Sequence, residues 1–132
     1  MTEQQELTAT IERRPMHKAQ ALVVHCIDLR FQRGIQDFLR EQGLTDKFDP
    51  ISWPGASQDL ETVIKGAEVS LRLHDPDEIL IIEHEDCGAY GEDNSEETHR
   101  QNAQKLAEAL KQIKPSLKVT PLIATFDGIK PL

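Results

Sequence analysis

Two short segments of the sequence carry side chains that bind metals or act as nucleophiles. The first is ALVVHCIDLRFQRG, residues 21–34, in which Cys26 follows an apolar run. The second is EHEDCGAY, residues 83–90, in which His84 and Cys87 lie three positions apart. These segments contain both cysteines of the chain, so each thiol is a candidate nucleophile or metal ligand.

A cysteine between a strand and a helix is also how a phosphate-binding loop begins. That chemistry needs an arginine after five spacer residues, so that backbone amides and one guanidinium surround the phosphate. The sequence has Gln32 at that position and Arg33 one place later. The spacer contains no glycine, and Asp28 would repel a phosphate. The spacing therefore argues against a phosphatase.

Metal binding accounts for both segments together. Cys26 is predicted to follow the first strand of a sheet, and His84 and Cys87 to follow a neighbouring strand, so the three side chains would meet at one sheet edge. Two thiolates and one imidazole suit zinc and leave a fourth coordination position open, as in catalytic zinc sites. The alternative is that each cysteine is a small buried hydrophobe.

Asp28 and Arg30 lie beside this predicted site. Alternation along an extended segment would put both side chains on the same side as Cys26. Asp28 would then either take the fourth coordination position or accept a hydrogen bond from zinc-bound water. Arg30 would hold that carboxylate in a charge-assisted pair and keep it off the metal. The alternative is a surface ion pair worth well under ~1 kcal/mol.

The apolar pattern predicts four strands separated by three helices. Two nearly continuous apolar runs are typical of strands that are buried on both faces, and two weaker runs predict two more strands. The predicted strands are residues 19–27, 48–53, 78–83 and 117–126. The predicted helices are residues 31–42 with Gly43 as terminator, a helix capped by Ser57 that continues past Leu71, and a helix capped by Ser95 that stops at Pro115.

This alternation predicts an α/β fold. Right-handed crossovers give a three-layer sandwich, with a mostly parallel four-stranded sheet and helices on both faces. If the first and third strands are neighbours, the expected order is 2-1-3-4. Pro121 lacks an amide donor, which favours an edge position for the fourth strand. Residues 18–132 are predicted to form this single domain, and residues 1–17 an N-terminal arm or helix.

Composition and charge exclude several classes of function. The 132 residues carry a formal charge of −8, so nucleic acid and anionic membranes are not expected partners. The polar start of the chain lacks the pattern of a signal peptide, and no apolar run approaches the ~20 residues of a membrane span. A cytoplasmic protein is expected, in which a structural disulfide between two cysteines would be unusual.

The paired motifs resemble those of the β-class carbonic anhydrases. These motifs are Cys26-x-Asp28-x-Arg30 and His84-x-x-Cys87, and the similarity extends over residues 21–126. In that family zinc is held by this Cys, His and Cys, with the Asp–Arg pair beside it. The resemblance implies that this chain is a short, divergent member.

The resemblance also implies an activity. The expected reaction is reversible hydration of CO2 to bicarbonate by one Zn²⁺ per chain, with zinc-bound hydroxide as the nucleophile. Asp28 and Arg30 would gate or orient that hydroxide. Since the family builds its cleft between two subunits, a homodimer or higher homo-oligomer is expected. The substrate pocket would be lined by Phe31, Gly55, Ala56 and Gly88.

Two features depart from the family pattern. The segment SWPGAS, residues 52–57, stands where the family has an Arg-Asn-Ala-Gly loop, so the usual polar contacts of that loop are expected to be absent. Glu83 stands where a glycine normally precedes the histidine. Two alternatives therefore stay open: hydrolysis of a CO2 analogue such as COS or CS2, and a non-catalytic module that zinc stabilises.

Overall fold

The computed structural model describes residues 10, 11, 13 and 17–132, so most of the predicted N-terminal arm lies outside the described residues. Strands and helices alternate along the described chain, and a short 3-10 helix at Gly88–Tyr90 follows the third strand. The elements are β1 (Ala21–His25), α1 (Gln32–Glu41), β2 (Phe48–Ser52), α2 (Leu60–His74), β3 (Glu78–His84), α3 (Glu96–Ile113), β4 (Lys118–Thr125) and β5 (Gly128–Pro131).

In the described residues, one sheet has the strand order β2-β1-β3-β4-β5. The first four strands pair in parallel, which confirms the predicted α/β fold and the order 2-1-3-4. The predicted count of four strands was wrong, because β5 turns back and pairs antiparallel with β4. The sequence signal for β5 is weak, since this four-residue strand contains one large aliphatic residue, Ile129.

The predicted edge position of β4 was also wrong, because β4 lies between β3 and β5. The carbonyl of Pro121 accepts a hydrogen bond from the Leu132 N–H at 3.1 Å, on the β5 side. The nitrogen and carbonyl of a strand residue face the same side. The N–H that proline lacks would therefore point toward β5 and not toward β3. The hydrogen bonds between β3 and β4 do not need this N–H, so their pairing is preserved.

Both faces of the sheet are covered, which explains the continuous apolar runs. On β1, Leu22 and Val24 pack in one core cluster with residues of α2 and α3, whereas Ala21 and Val23 pack in a second cluster with residues of α1. The residues of β3 alternate in the same way. The molecule thus has three layers, as predicted. No helix in the described part of the chain is long and apolar enough to span a membrane.

The helix starts differ in one place from the prediction. Ser95 caps α3 as predicted, with its hydroxyl accepting the Thr98 N–H at 3.2 Å. The predicted cap at Ser57 was wrong, because α2 begins later and its cap is Asp59, which accepts the Thr62 N–H. Ser57 is buried and makes a different contact, described below.

Gly43 ends α1 as predicted. Its φ of +74° lies in the left-handed region, where a side chain is unfavourable. The Gly43 N–H donates to the Arg40 carbonyl and the Leu44 N–H donates to the Leu39 carbonyl, which is the pattern of a Schellman motif. Leu44 is thereby turned into the core.

Gly43→Ala is expected to lower the free energy of unfolding by about 1 kcal/mol, because alanine must adopt the left-handed conformation. Thermal unfolding should show a fall in Tm of about 4 °C. Gly34→Ala is the matched control in α1, where no described atom lies within 4 Å of the added methyl group. That control should raise the stability by up to about 1 kcal/mol. Equal losses in both variants would contradict the argument.

Candidate metal centre

The carboxyl ends of β1, β2 and β3 bring three loops to one edge of the sheet. His25, at the end of β1, pairs with Ser52 on β2 and with Ile82 on β3. Cys26 follows β1 directly, and His84 is the last residue of β3. The chain then turns, with Asp86 at a φ of +53°, and Cys87 precedes the 3-10 helix.

Cys26, His84 and Cys87 form a compact triangle. The two Sγ atoms lie 3.9 Å apart, and the three candidate ligand atoms lie within 4.8 Å of one another. All three side chains are buried. Among the described residues, this is the one group of three or more such side chains close enough to hold a metal ion.

The orientation of His84 is suited to binding a metal. Its Nδ1 lies 2.6 Å from the Glu85 carbonyl, so Nδ1 carries the hydrogen and the Nε2 lone pair is free. The buried Nε2 has no hydrogen-bond partner among the described residues. Burying an unsatisfied polar atom is costly, and a metal ion would satisfy it. Two sulfur atoms and one imidazole are the ligand set that zinc prefers.

The surroundings of Cys26 favour its thiolate. Burial alone would raise the pKa of this thiol, but the neighbouring His84 side chain and the Gly55 N–H lower the pKa to about 7. The Gly55 nitrogen lies 3.3 Å from Cys26 Sγ. Cys26 is thus poised to bind a cation near neutral pH.

The surroundings of Cys87 favour its neutral thiol. Burial and the nearby Cys26 raise the pKa of its thiol to about 11, although the N–H groups of Ala89 and Tyr90 act in the other direction. A bound metal ion reverses this balance, since a coordinated thiol loses its proton. A bound cation would therefore favour the doubly ionised pair, which burial and mutual repulsion disfavour near neutral pH.

Asp28 and Arg30 pair closely, but the predicted extended segment was wrong. The chain turns after Cys26, and the Arg30 N–H donates to Asp28 Oδ1 at 2.9 Å. The guanidinium completes the contact, with Nη2 at 2.7 Å from Asp28 Oδ2 and Nε at 3.1 Å from Oδ1. These bonds lower the pKa of Asp28 to about 2. The Asp28 carboxylate lies 3.9 Å from His84 Nε2.

Arg30 also reaches the loop that carries Cys87. Its Nη1 donates to the Asp86 carboxylate and its Nη2 to the Asp86 carbonyl, each at 2.9 Å. The guanidinium lies over the rings of Phe31 and Phe126, 5.6 Å and 5.3 Å from their centroids. Arg30 therefore connects the loop after β1 to the loop after β3.

Gln32, which argued against a phosphate loop, has a structural role. Its side-chain amide donates to the carbonyls of Cys26 and Asp28, at 2.9 and 2.8 Å. Those contacts hold the turn closed at the position where a phosphate loop would need an arginine. Arg33 is exposed on α1.

The predicted pocket residues lie at different depths. Phe31 is buried, and its ring centroid is 4.5 Å from that of His84. Gly55 contacts Cys26 as described, and the next residue, Ala56, is buried in the same core cluster as both cysteines. Gly88 is exposed at the start of the 3-10 helix. Phe31 thus lies against the His84 ring, and Gly55 lies against the Cys26 sulfur.

Several residues around the centre were missed by sequence reasoning. Glu83 is buried and accepts hydrogen bonds from Ser57, Tyr90 and His99. In the sequence, Glu83 stood out only as a departure from the family pattern and as a charged residue that ends the aliphatic run of β3, and its partners were not predicted. Asp86 gave no signal, because its contact with Arg30 depends on how two loops meet.

The fold and the centre together define a class of protein: an α/β domain with a Cys-His-Cys triangle that could hold a metal ion, at the carboxyl edge of its parallel strands. Residues 16–127 match the family described as "Putative carbonic anhydrase". The chain belongs to this family.

One sequence relative and two solved structures are similar to this chain. An uncharacterized protein from Rickettsia bellii is 27% identical over 133 residues, covering 86% of this chain and 81% of the relative. The carbonic anhydrase of Streptococcus mutans has a TM-score of 0.66 at 18% identity, over 93% of this chain and 87% of that one. A β-carbonic anhydrase from Trichomonas vaginalis has a TM-score of 0.64 at 12% identity, with the same coverages. The resemblance to the β class is thereby confirmed.

Proposed function

We propose that this protein binds one Zn²⁺ through Cys26, His84 and Cys87 and catalyses the reversible hydration of CO2. The observation that carries this proposal is the buried triangle of two sulfur atoms and the unpartnered His84 Nε2. Membership of the carbonic anhydrase family supports the choice of reaction. When bound, zinc supplies Lewis acidity that brings the pKa of water toward neutrality.

Asp28 would orient the attacking water. Its carboxylate lies 3.9 Å from His84 Nε2, close enough to accept a hydrogen bond from a water beside the metal ligands. Both of its oxygens are engaged by Arg30, and Arg30 is itself anchored on Asp86. This pairing favours an orienting carboxylate that Arg30 keeps away from the metal position.

Phe31 would provide an apolar wall for CO2. Its ring lies against the rings of His84 and Phe126, with centroid distances of 4.5 and 4.9 Å. A small apolar gas has no hydrogen bonds to offer, so such a wall excludes water without competing for polar contacts.

The test combines metal analysis with turnover measurements. Zinc content of the purified protein should approach one ion per chain, and stopped-flow assays should detect CO2 hydration. Protein without zinc would overturn the metal site. Zinc-loaded protein that hydrolyses COS or CS2 but leaves CO2 unchanged would favour the hydrolase alternative. Zinc-loaded protein that converts none of the three would identify a zinc-stabilised module.

We also propose that two copies meet over this edge of the sheet. Four exposed apolar side chains surround the centre on its loops: Ile27, Leu29, Trp53 and Phe126. Leu29 is 85% exposed and Phe126 60% exposed. Apolar side chains concentrated around one site favour a protein interface.

The two free cysteines suit a reducing compartment, for which we propose the cytoplasm.

Leu29→Asp is expected to separate the two copies, because it buries a charge in an apolar interface. Sedimentation velocity should give a mass of about twice 14.9 kDa for the wild type and about half of that for the variant. Leu73→Asp is the control, since Leu73 is an exposed leucine at the end of α2. A wild type that sediments as a monomer would overturn the proposed interface.

A further inference from the structure

Glu83 is a buried carboxylate, 1% exposed, that lies beside the metal ligands. Its Oε2 accepts the Ser57 N–H at 3.2 Å and the Ser57 hydroxyl at 3.0 Å. Its Oε1 accepts the Tyr90 hydroxyl and the His99 Nδ1–H, the latter at 2.8 Å. These four donors match the capacity of an ionised carboxylate, which accepts at about four lone-pair positions.

The network continues from His99 to the loop that carries Cys87. The Asn94 amide, oriented to satisfy its neighbours, donates to His99 Nε2 at 2.8 Å. The Asn94 oxygen then accepts the N–H groups of Asp86 and Cys87, at 3.1 and 2.9 Å. Each donor and acceptor along this path is matched, which places the ring hydrogen of His99 on Nδ1.

The same network reaches all three candidate ligands. Ser57 ends the turn after β2, and that turn presents the Gly55 N–H to Cys26 Sγ. His84 follows Glu83 directly in β3. Cys87 is reached through its own N–H and Asn94. Glu83 therefore ties together three segments that are distant in sequence and that each carry or support one ligand.

Two polar contacts of the SWPGAS segment are made with this carboxylate. Ser57 donates two hydrogen bonds to Glu83, and Ala56, just before it, has a φ of +54° that is unusual for alanine. A strained turn persists only where its surroundings hold it. Glu83 supplies that hold from β3, on the far side of β1.

We propose that Glu83 is a positioning residue that preorganises Cys26, His84 and Cys87 for metal binding. The inference rests on the metal site proposed above. It goes beyond that site, because Glu83 contacts neither the ion nor the substrate and acts through the Ser57 turn and the Asn94 bridge. An acceptor-only side chain is needed, since its four partners are all donors.

The test is cobalt binding by Glu83→Gln, in which the side-chain amide keeps the shape but turns a donor toward donors. The metal-free variant is titrated with Co²⁺ and followed by absorption. The expected result is a Co²⁺ affinity about 10- to 100-fold weaker than in the wild type, as is typical when outer-shell partners of a metal site are removed. The sulfur-to-cobalt and d–d absorption bands should also shift, because the ligands would be held less firmly.

Asp49→Asn is the matched control. Asp49 accepts the Ser70 hydroxyl at 2.6 Å and lies 2.8 Å from His74 Nδ1, so it has the same kinds of partner as Glu83. It lies near the start of β2, away from the carboxyl edge of the sheet. This variant should lose thermal stability but keep the wild-type Co²⁺ affinity and absorption bands.

The outcomes separate this inference from the proposed function. Wild-type affinity and absorption bands in Glu83→Gln would overturn the positioning role while the metal site stands. A wild type that binds neither Co²⁺ nor Zn²⁺ would overturn both. If Glu83→Gln does not fold, Ser57→Ala removes one of the four donors and is expected to weaken Co²⁺ binding by a smaller factor, at least twofold. Unchanged binding in Ser57→Ala would then overturn the inference.

Discussion

Cys87→Ser is expected to weaken Zn²⁺ binding by about three orders of magnitude and to abolish CO2 hydration. Apparent zinc-binding free energies of protein sites are about 10–16 kcal/mol, so the loss of one of three ligands is expected to cost about 4 kcal/mol. The Cys87 sulfur lies 3.9 Å from that of Cys26, and a serine hydroxyl is both shorter and harder than a thiolate. The remaining pair of ligands should bind zinc too weakly to retain it.

Competition with a chromophoric chelator measures this change in affinity directly. Ala89→Ser is the control, because it places the same side chain at an exposed position two residues further along the same loop. Near-UV circular dichroism of both metal-free variants checks that the loop is folded. If Cys87→Ser held zinc as tightly as the control, the metal would have to be bound elsewhere.

Asp28→Asn is expected to lower kcat/KM for CO2 hydration by about a hundredfold while the bound zinc is retained. The asparagine side chain keeps the size of aspartate but loses the charge that Arg30 pairs with. Misplacing a reacting group by about 1 Å can cost roughly a hundredfold in rate, so the loss of an orienting carboxylate is expected to cost a factor of that size. Since Asp28 is not among the three ligands proposed for zinc, metal content should be unchanged.

Arg30→Lys tests the same pair from its other side. A lysine keeps the positive charge but lacks the fork that engages Asp28 and Asp86 together. Its activity should fall by about tenfold or more, whereas Asp37→Asn, which alters an exposed pair with Arg40 on α1, should remain as active as the wild type. Full activity in both Asp28→Asn and Arg30→Lys would show that the ion pair is a surface contact without a role in catalysis.

Local patterns along the chain predicted the fold well. Continuous apolar runs arise because β1 and β3 are covered on both faces, and this burial is visible in any sequence that forms such strands. The alternation of strands and helices then predicted a parallel sheet, and the order 2-1-3-4 rested on placing the first and third strands side by side. The fifth strand and the internal position of β4 were not predicted, because Pro121 argued for an edge and β5 is a four-residue strand with one large aliphatic side chain.

The loops were harder to predict than the strands. The residues after Cys26 form a turn that Gln32 closes, although their alternation suggested an extended segment. Ser57 resembles a helix cap in sequence, yet it is buried and donates to Glu83. The turn after Cys26 is closed by a local side-chain contact to the backbone, whereas at Ser57 a contact with a distant strand overrides the local preference.

Sequence patterns were enough to predict the order of the four parallel strands, the candidate ligands Cys26, His84 and Cys87, and the pairing of Asp28 with Arg30. These follow from residue type, short-range spacing and the topology of parallel strands, which are properties of local segments. Only the tertiary structure revealed that Glu83 joins the loops through Ser57 and His99 and that Asp86 anchors Arg30. The physical reason is that a hydrogen bond requires two groups within about 3 Å, and where distant loops meet depends on the packing of the whole sheet.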